Sequence, residues 1–329
     1  MLPLLPMRPR YLEKIWGGAR IAALPGKRAH PPPPTKVGEA WEVADLPEGS
    51  STVAEGPLAG RTLAEIGRAD GENLRGRFHV DRRFPLLVKL IDASDDLSVQ
   101  VHPDAAWAAA HPGTFSKDEA WLMVEADQGA RILHGFTDGV DPAAFRASIA
   151  EQRADALLRA VVMAPGDVVH VPPGTVHAIG RGLLVLEVQE PSDTTFRVYD
   201  YGRLEHGRPR ALHVDQALEV ATFGPQPPPR CAARPLPGGD GVEREELVRS
   251  RAFVMERWQL AAGTRTALEL PPDAPGVLFA LDGAVDVSAE ESACALETGA
   301  SLVVPACRRR AVLAARGGTA SVVAMFPAG

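Results

Sequence analysis

The chain reads as a mainly β protein, an all-β barrel core carrying a small helical insertion, followed by a second and smaller β unit. Three observations predict this. Apolar runs of strand length recur between turn residues, and 31 Gly and 30 Pro punctuate 329 residues without a collagen-like period. Helix signals, finally, are confined to the N-terminal part.

In chain order the strands are FPLLVKLI from Phe84, LSVQVH from Leu97, AWLMVEA from Ala120, DVVHVP from Asp167, GLLVLEVQ from Gly182 and TFRVYDY from Thr195. Asp141-Pro142 is a helix start, with Asp as N-cap and Pro at the first helical position. Phe145 and Ile149 then share a face, and a second apolar set follows at Leu157, Leu158 and Val161. His30 and Pro31–Pro34 form an early irregular loop. Residues 222–240, TFGPQPPPRCAARPLPGGD, read as a Pro/Gly-rich linker between a unit spanning 1–221 and a tail spanning 241–329. Within the tail, LFALDGAVDV is a hairpin candidate around Asp282-Gly283.

Hydrophobic residues at 45% and charged residues at 23% suit a globular protein with a real core. A net charge of −7 argues against a nucleic-acid surface, yet a few local cations suffice to hold a small anion. The three cysteines, Cys231, Cys294 and Cys307, lack metal or disulfide spacing and read as free thiols of a reducing compartment. The N-terminus does not read as a signal peptide and no segment is apolar for long enough to span a bilayer, so a cytoplasmic location without membrane partners is expected.

The strongest chemical signal is GDVVHVPPGTVHAI. Its spacing, Gly166 to Pro172 to Gly174 to His177, resembles the second motif of the cupin superfamily, in which a Pro/Gly turn aims a histidine into a small β-barrel. The same frame returns at Gly299, Pro305 and Arg310, with arginine where the first copy has His177. That fits an internal repeat whose second unit has lost its ligand and serves packing. Imidazole suits zinc, iron, nickel or copper. His102 and Glu119 would complete a two-histidine, one-carboxylate set. Strand alternation puts Ser98, Gln100 and His102 on one face, and Lys117 with Glu119 on another. Gln100 adds a possible carbonyl donor. His30, His206 and His213 lie in turn-like or polar contexts, while His79, His111 and His134 lack partners at ligand spacing. His170 is expected to serve packing or support.

KIWGG at Lys14, GEAWEV at Gly38, FPLLVKLIDASDDLSVQVHP at Phe84, KDEAW at Lys117, VPPGTVHAI at Val171 and SDTTFRVYDY at Ser192 together resemble type I mannose-6-phosphate isomerases, most closely their short bacterial branch. The resemblance implies two cupin (jelly-roll) units, the second without metal. It also implies a zinc-dependent aldose–ketose isomerase acting on a sugar phosphate through an enediol. One zinc per chain is expected on Gln100, His102, Glu119 and His177. Arg197 is implied as an active-site arginine, Lys89 and Lys117 as substrate contacts, Ser98 as lining the sugar-phosphate end and Glu187 as a site carboxylate. For Glu187, a salt bridge to Arg197 and direct proton transfer both stand open. Lys89 reads either as a phosphate contact or as a solvent-facing lysine. Two departures stand out: Asp118-Glu119-Ala120-Trp121 replaces Thr-Glu-Cys-Trp, and Glu190-Pro191-Ser192-Asp193 replaces Gln-Asn-Ser-Asp. A non-haem iron oxygenase and a non-catalytic sugar-binding cupin are the competing classes.

Overall fold

The computed structural model describes residues 1–28 and 33–329, so His30, Pro31 and Pro32 of the early loop lie outside the described residues. Two antiparallel sheets face each other in the N-terminal part. One has six strands, in the order Val168–Val171, Glu119–Ala126, Leu183–Gln189, Leu87–Ala93, Glu39–Val43 and Arg10–Leu12. The other has five, in the order Leu158–Val162, Arg131–Phe136, His177–Ile179, Val99–Val101 and Phe196–Tyr199. The hydrogen-bond ladder does not run continuously around them; the cupin-like core is a pair of facing sheets.

Each sheet is covered on its outer face as well, which explains why several strands read as unbroken apolar runs. On Leu183–Gln189, Leu184, Leu186 and Val188 point outward and pack with Phe253, Met255, Val277 and Phe279 of the tail. Val185, Glu187 and Gln189 take the alternate positions, and Val185 joins Ile91, Trp121, Ile132 and Ile179 between the two sheets. The outer face of the five-stranded sheet buries Val99, Val101, Phe196 and Val198 against Phe145 and Ile149 of the helix Pro142–Ala150 and Ala217 of the helix Val214–Val220. Asp141 caps the first of these helices by accepting from the Ala144 N–H, as the Asp-Pro signal predicts. The following apolar set differs from a helical continuation. After a short 3-10 turn, Leu158 and Val161 lie in a strand, a distinction that a short apolar run cannot carry by periodicity.

The tail builds a ten-stranded antiparallel sheet that also takes in Leu5–Arg8, paired with Ser301–Val304, and Thr52–Val53. The repeat is visible in the backbone. Gly166 and Gly299 both take positive φ (88° and 89°), each opening a strand, Val168–Val171 or Ser301–Val304. The next strand then begins at His177 in one copy and Arg310 in the other. His177 is buried, whereas Arg310 is exposed and pairs with Glu269 at 3.2 Å.

One local expectation changes. Asp282-Gly283 is not a hairpin turn but a bulge inside one strand, Gly276–Ala289. Gly283 sits at φ 70°, and a Cβ there would approach the Thr319 carbonyl oxygen to 2.3 Å, so glycine serves a close backbone contact. In the expected linker, Arg234–Gly239 is a strand at the sheet edge, the position where Pro235 and Pro237 are tolerated. The preceding residues are pinned too: Phe223 stacks on Phe136 at 4.9 Å, and the Cys231 N–H donates to the Val168 carbonyl. No helix among the described residues is long and apolar enough to cross a membrane.

Candidate functional site

Between the facing sheets, His102, Glu119 and His177 bring one donor atom each to within 4.8 Å of the others. Among the described residues this is the only such group of three or more His, Cys, Asp or Glu side chains. Glu119 stands on the six-stranded sheet and His177 on the five-stranded sheet, while His102 directly follows the strand Val99–Val101. Glu119 Oε1 lies 3.2 Å from His177 Nε2, and its Oε2 lies 3.6 Å from His102 Nε2. The other ring nitrogens are fixed by backbone: His102 Nδ1 donates to the Thr194 carbonyl and His177 Nδ1 to the Thr175 carbonyl, each at 2.9 Å. Those bonds leave both Nε2 atoms as acceptors beside the carboxylate.

Burial first of all drives both imidazoles toward the neutral form, His177 down to about 3 and His102 well below its ordinary value. Burial likewise pushes the Glu119 carboxyl up to about 8, opposed by the Lys117 ammonium 2.9 Å away. Neutral histidines beside a buried carboxyl form an acceptor-rich centre. His102 Nε2 and Glu119 Oε1 have no hydrogen-bond partner although both are buried. Orphaned acceptors of that kind are expensive in a protein interior, and a bound cation satisfies them. The donor set of two imidazoles and a carboxylate fits zinc with positions left open. Gln100 stands opposite His177 in register, its side-chain amide 3.3 Å from His177 Nε2. It therefore reaches the same centre.

A polar cavity of about 280 Å³ opens beside this centre, lined by Ser98, Gln100, Lys89, Lys117, Glu187 and Arg197 among others. The Arg197 side chain lies on the face opposite buried Phe196 and Val198, as alternation predicts. Its Nε donates to Ser98 Oγ at 3.1 Å, and Ser98 Oγ in turn lies 3.5 Å from Gln100 Oε1.

Lys89 and Glu187 correct the alternatives left by the sequence. Lys89 is 4% exposed, so it is not solvent-facing; it lies 3.2 Å from Glu187 and 3.8 Å from Glu39. The partner of Glu187 is Lys89 rather than Arg197, with the Trp121 indole N–H donating to its other oxygen at 3.1 Å. Burial alone would raise the Glu187 carboxyl, but Lys89 and Lys117 outweigh it and hold it at about 2. The two departures from the family pattern meet each other. Glu190 accepts from Ser116 Oγ at 2.8 Å and from the Asp118 N–H at 3.0 Å, closing both sides of Lys117. The Asp118 carboxylate pairs with His170 at 2.8 Å, which gives that histidine its supporting place.

Sequence reasoning missed several cavity residues. Lys14 and Glu39 belong to the KIWGG and GEAWEV motifs but carry no expected role, and Trp41 donates its indole N–H to Glu39 at 2.8 Å. Alternation in GEAWEV holds that signal, because Glu39 and Trp41 fall on one face. Arg210 and His213 also line the cavity, although the polar, turn-like context of His213 gives no sign of it.

Comparison with known proteins agrees with the motif reading. Residues 4–126 match the family model described as phosphomannose isomerase type I, catalytic domain. A mannose-6-phosphate isomerase of Streptococcus mutans is 38% identical over 294 residues, covering 89% of each chain. Mannose-6-phosphate isomerase ManA of Bacillus subtilis is 40% identical over 215 residues, 65% of this chain and 66% of that one. Among solved structures, the mannose 6-phosphate isomerase from Bacillus subtilis superposes with a TM-score of 0.87 at 30% identity, covering 98% of this chain and 99% of that one.

Proposed function

The chain belongs to the type I mannose-6-phosphate isomerases, and from that premise we propose that it interconverts mannose 6-phosphate and fructose 6-phosphate through an enediol, with one zinc ion per chain at the centre just described. The observation that carries this reading is the convergence of His102, Glu119 and His177, with buried acceptor atoms lacking partners, on a cavity rich in charged side chains. Gln100, His102, Glu119 and His177 would hold the ion. When bound, it would supply Lewis-acid polarisation of substrate oxygens without redox chemistry.

The chain's own residues account for the rest. Trp121, Ile91, Leu97 and Ile179 form apolar wall around the cavity and lower the local dielectric, which strengthens every charge inside it. A proton moving between C1 and C2 leaves negative charge on the sugar oxygens, which the Lys117 ammonium and the Arg197 guanidinium, both lining the cavity, would oppose. Ser98 orients Arg197 by accepting from its Nε. Glu187, held ionised by Lys89 and Lys117, is a weak proton acceptor near neutral pH. Its part in this reading is to fix Lys89 and balance its charge within the cavity wall. Residues 1–221 form the catalytic unit, and residues 241–329 a packing unit joined to it through 222–240.

A coupled assay on a panel of phosphorylated and free aldoses tests the activity. Turnover of mannose 6-phosphate well above the other sugars supports the reading, and no turnover by zinc-loaded protein removes it. The tail carries its own expectation. Arg310→Ala should leave zinc content unchanged, because Arg310 is exposed and, among the described residues, pairs only with Glu269. Metal analysis that finds a second required ion lost in this variant would assign the tail a catalytic role.

A further inference from the structure

The buried pair of Lys27 and Glu42 lies outside the cavity and has no part in the chemistry described above. Lys27 is 2% exposed and Glu42 0%, with Lys27 Nζ 2.5 Å from Glu42 Oε2. Ser301 of the tail donates its hydroxyl to the same oxygen at 2.8 Å, while Glu42 Oε1 is buried without a hydrogen-bond partner among the described residues. The turn that carries Lys27 is seated on the tail as well. The Gly26 N–H donates to the Thr298 carbonyl at 2.8 Å, and a Cβ on Gly26 would come within 2.7 Å of the Ala300 nitrogen. Burial depresses the Lys27 ammonium, opposed by Glu42. A buried ion pair with one oxygen unsatisfied is a poor stabiliser, since apolar side chains of similar volume often hold a core as well or better. Stability alone does not account for it.

Glu42 is the extra residue of a β-bulge. Along Glu39–Val43, Trp41 pairs with Lys89 and Val43 with Val88, so Glu42 has no partner on the strand Leu87–Ala93. Strict alternation would put Trp41 and Val43 on one face. The bulge breaks it: Ala40 and Val43 join the core shared with Phe279 and Val303 of the tail, and Glu42 reaches Ser301 of the same unit. Glu39 is left lining the cavity, where its Oε2 accepts from the Trp41 indole N–H at 2.8 Å and lies 3.8 Å from Lys89 Nζ. The Lys89 ammonium in turn lies 5.7 Å from the Trp41 ring centroid.

We propose that Glu42 is a positioning residue for the isomerisation: anchored by Lys27 and by Ser301 of the tail, it holds the bulge that sets Glu39 and Trp41 against Lys89. The proposal rests on the isomerase reading above, and it gives the tail a share in shaping the cavity. Bulges re-aim side chains, and this one keeps the Lys89 ammonium between Glu39 and Glu187, 3.8 Å and 3.2 Å away.

The test compares zinc-loaded wild type with Lys27→Met/Glu42→Leu, Ser301→Ala and Glu39→Gln, and with the first two changes made in the Glu39→Gln background. It reads kcat, KM, zinc content and thermal stability. The paired apolar replacement should fold with full zinc and stability close to wild type, yet lose on the order of tenfold in kcat/KM. Ser301→Ala should lose less, in the same direction. Because Glu42 acts through Glu39, neither change should cause much further loss in the Glu39→Gln background, whereas independent structural effects would add in full. Wild-type kcat/KM in the folded paired variant, or in Glu39→Gln, overturns the proposal, and so does a loss that persists undiminished in the Glu39→Gln background. If the paired variant does not fold, Ser301→Ala decides: a loss in kcat/KM that vanishes in the Glu39→Gln background supports the proposal, and wild-type kcat/KM overturns it. Wild type that turns over no sugar phosphate would sink the isomerase reading and leave the anchored bulge standing, read by faster amide exchange across residues 39–43 in the paired variant.

Discussion

Arg197→Ala and Arg197→Lys should both fold, keep their zinc, and lose roughly two to three orders of magnitude in kcat, the scale set by deleting one charge-stabilising donor elsewhere. The geometry supports an effect of this size. Arg197 lies on the cavity face of its strand, and its guanidinium has no carboxylate to neutralise it among the described residues. Lysine cannot bond Ser98 and offer a planar pair of donors to the substrate at once, so the conservative change should fare little better than alanine. Steady-state kinetics with metal analysis on the same samples check this. A variant with full zinc and near-wild-type kcat would make Arg197 a structural residue.

His177→Ala should lose the metal and with it the activity, while His111→Ala keeps both. His177 is buried, its Nδ1 fixed by the Thr175 carbonyl and its Nε2 3.2 Å from Glu119. Removing an outer hydrogen-bond partner of a metal ligand already costs about 10–100-fold in affinity, and deleting the ligand itself should exceed that. His111 is exposed and stacks on Trp107 at a ring separation of 3.6 Å. Elemental analysis after extensive dialysis, with circular dichroism to verify folding, gives the comparison. Retention of the ion by folded His177→Ala would remove His177 from the centre.

Much of this centre is legible in the sequence because its residues lie on strands whose alternation fixes the facing. Period-two alternation alone places Ser98, Gln100 and His102 on one face, and Arg197 opposite Phe196 and Val198. The glycine-to-histidine spacing carries the repeat as well, down to matching positive φ at Gly166 and Gly299. What stays hidden depends on partners far apart in the chain. Nothing near Glu187 says whether it pairs with Lys89 or Arg197, since both lie on strands reached through long connections. Arg210 and His213 come from a polar loop with no periodicity, and only its apposition to the edge strand brings them to the cavity. Asp282-Gly283 misleads for a different reason: a bulge and a tight turn ask for the same glycine, and the choice is made by the long partner strand Arg310–Pro327. The buried pair of Lys27 and Glu42, 2.5 Å apart and joined by Ser301 of the tail at 2.8 Å, is likewise invisible without the third partner.

Everything proposed for the activity depends on isomerisation taking place at a metal held by His102, Glu119 and His177. The decisive measurement is the mannose 6-phosphate to fructose 6-phosphate rate of one preparation, taken as purified, after verified metal removal, and after return of one equivalent of zinc per chain. Activity should be present, then lost, then recovered in step with zinc bound, with no recovery in His177→Ala. Full activity in the verified metal-free protein is incompatible with a metal-centred reaction.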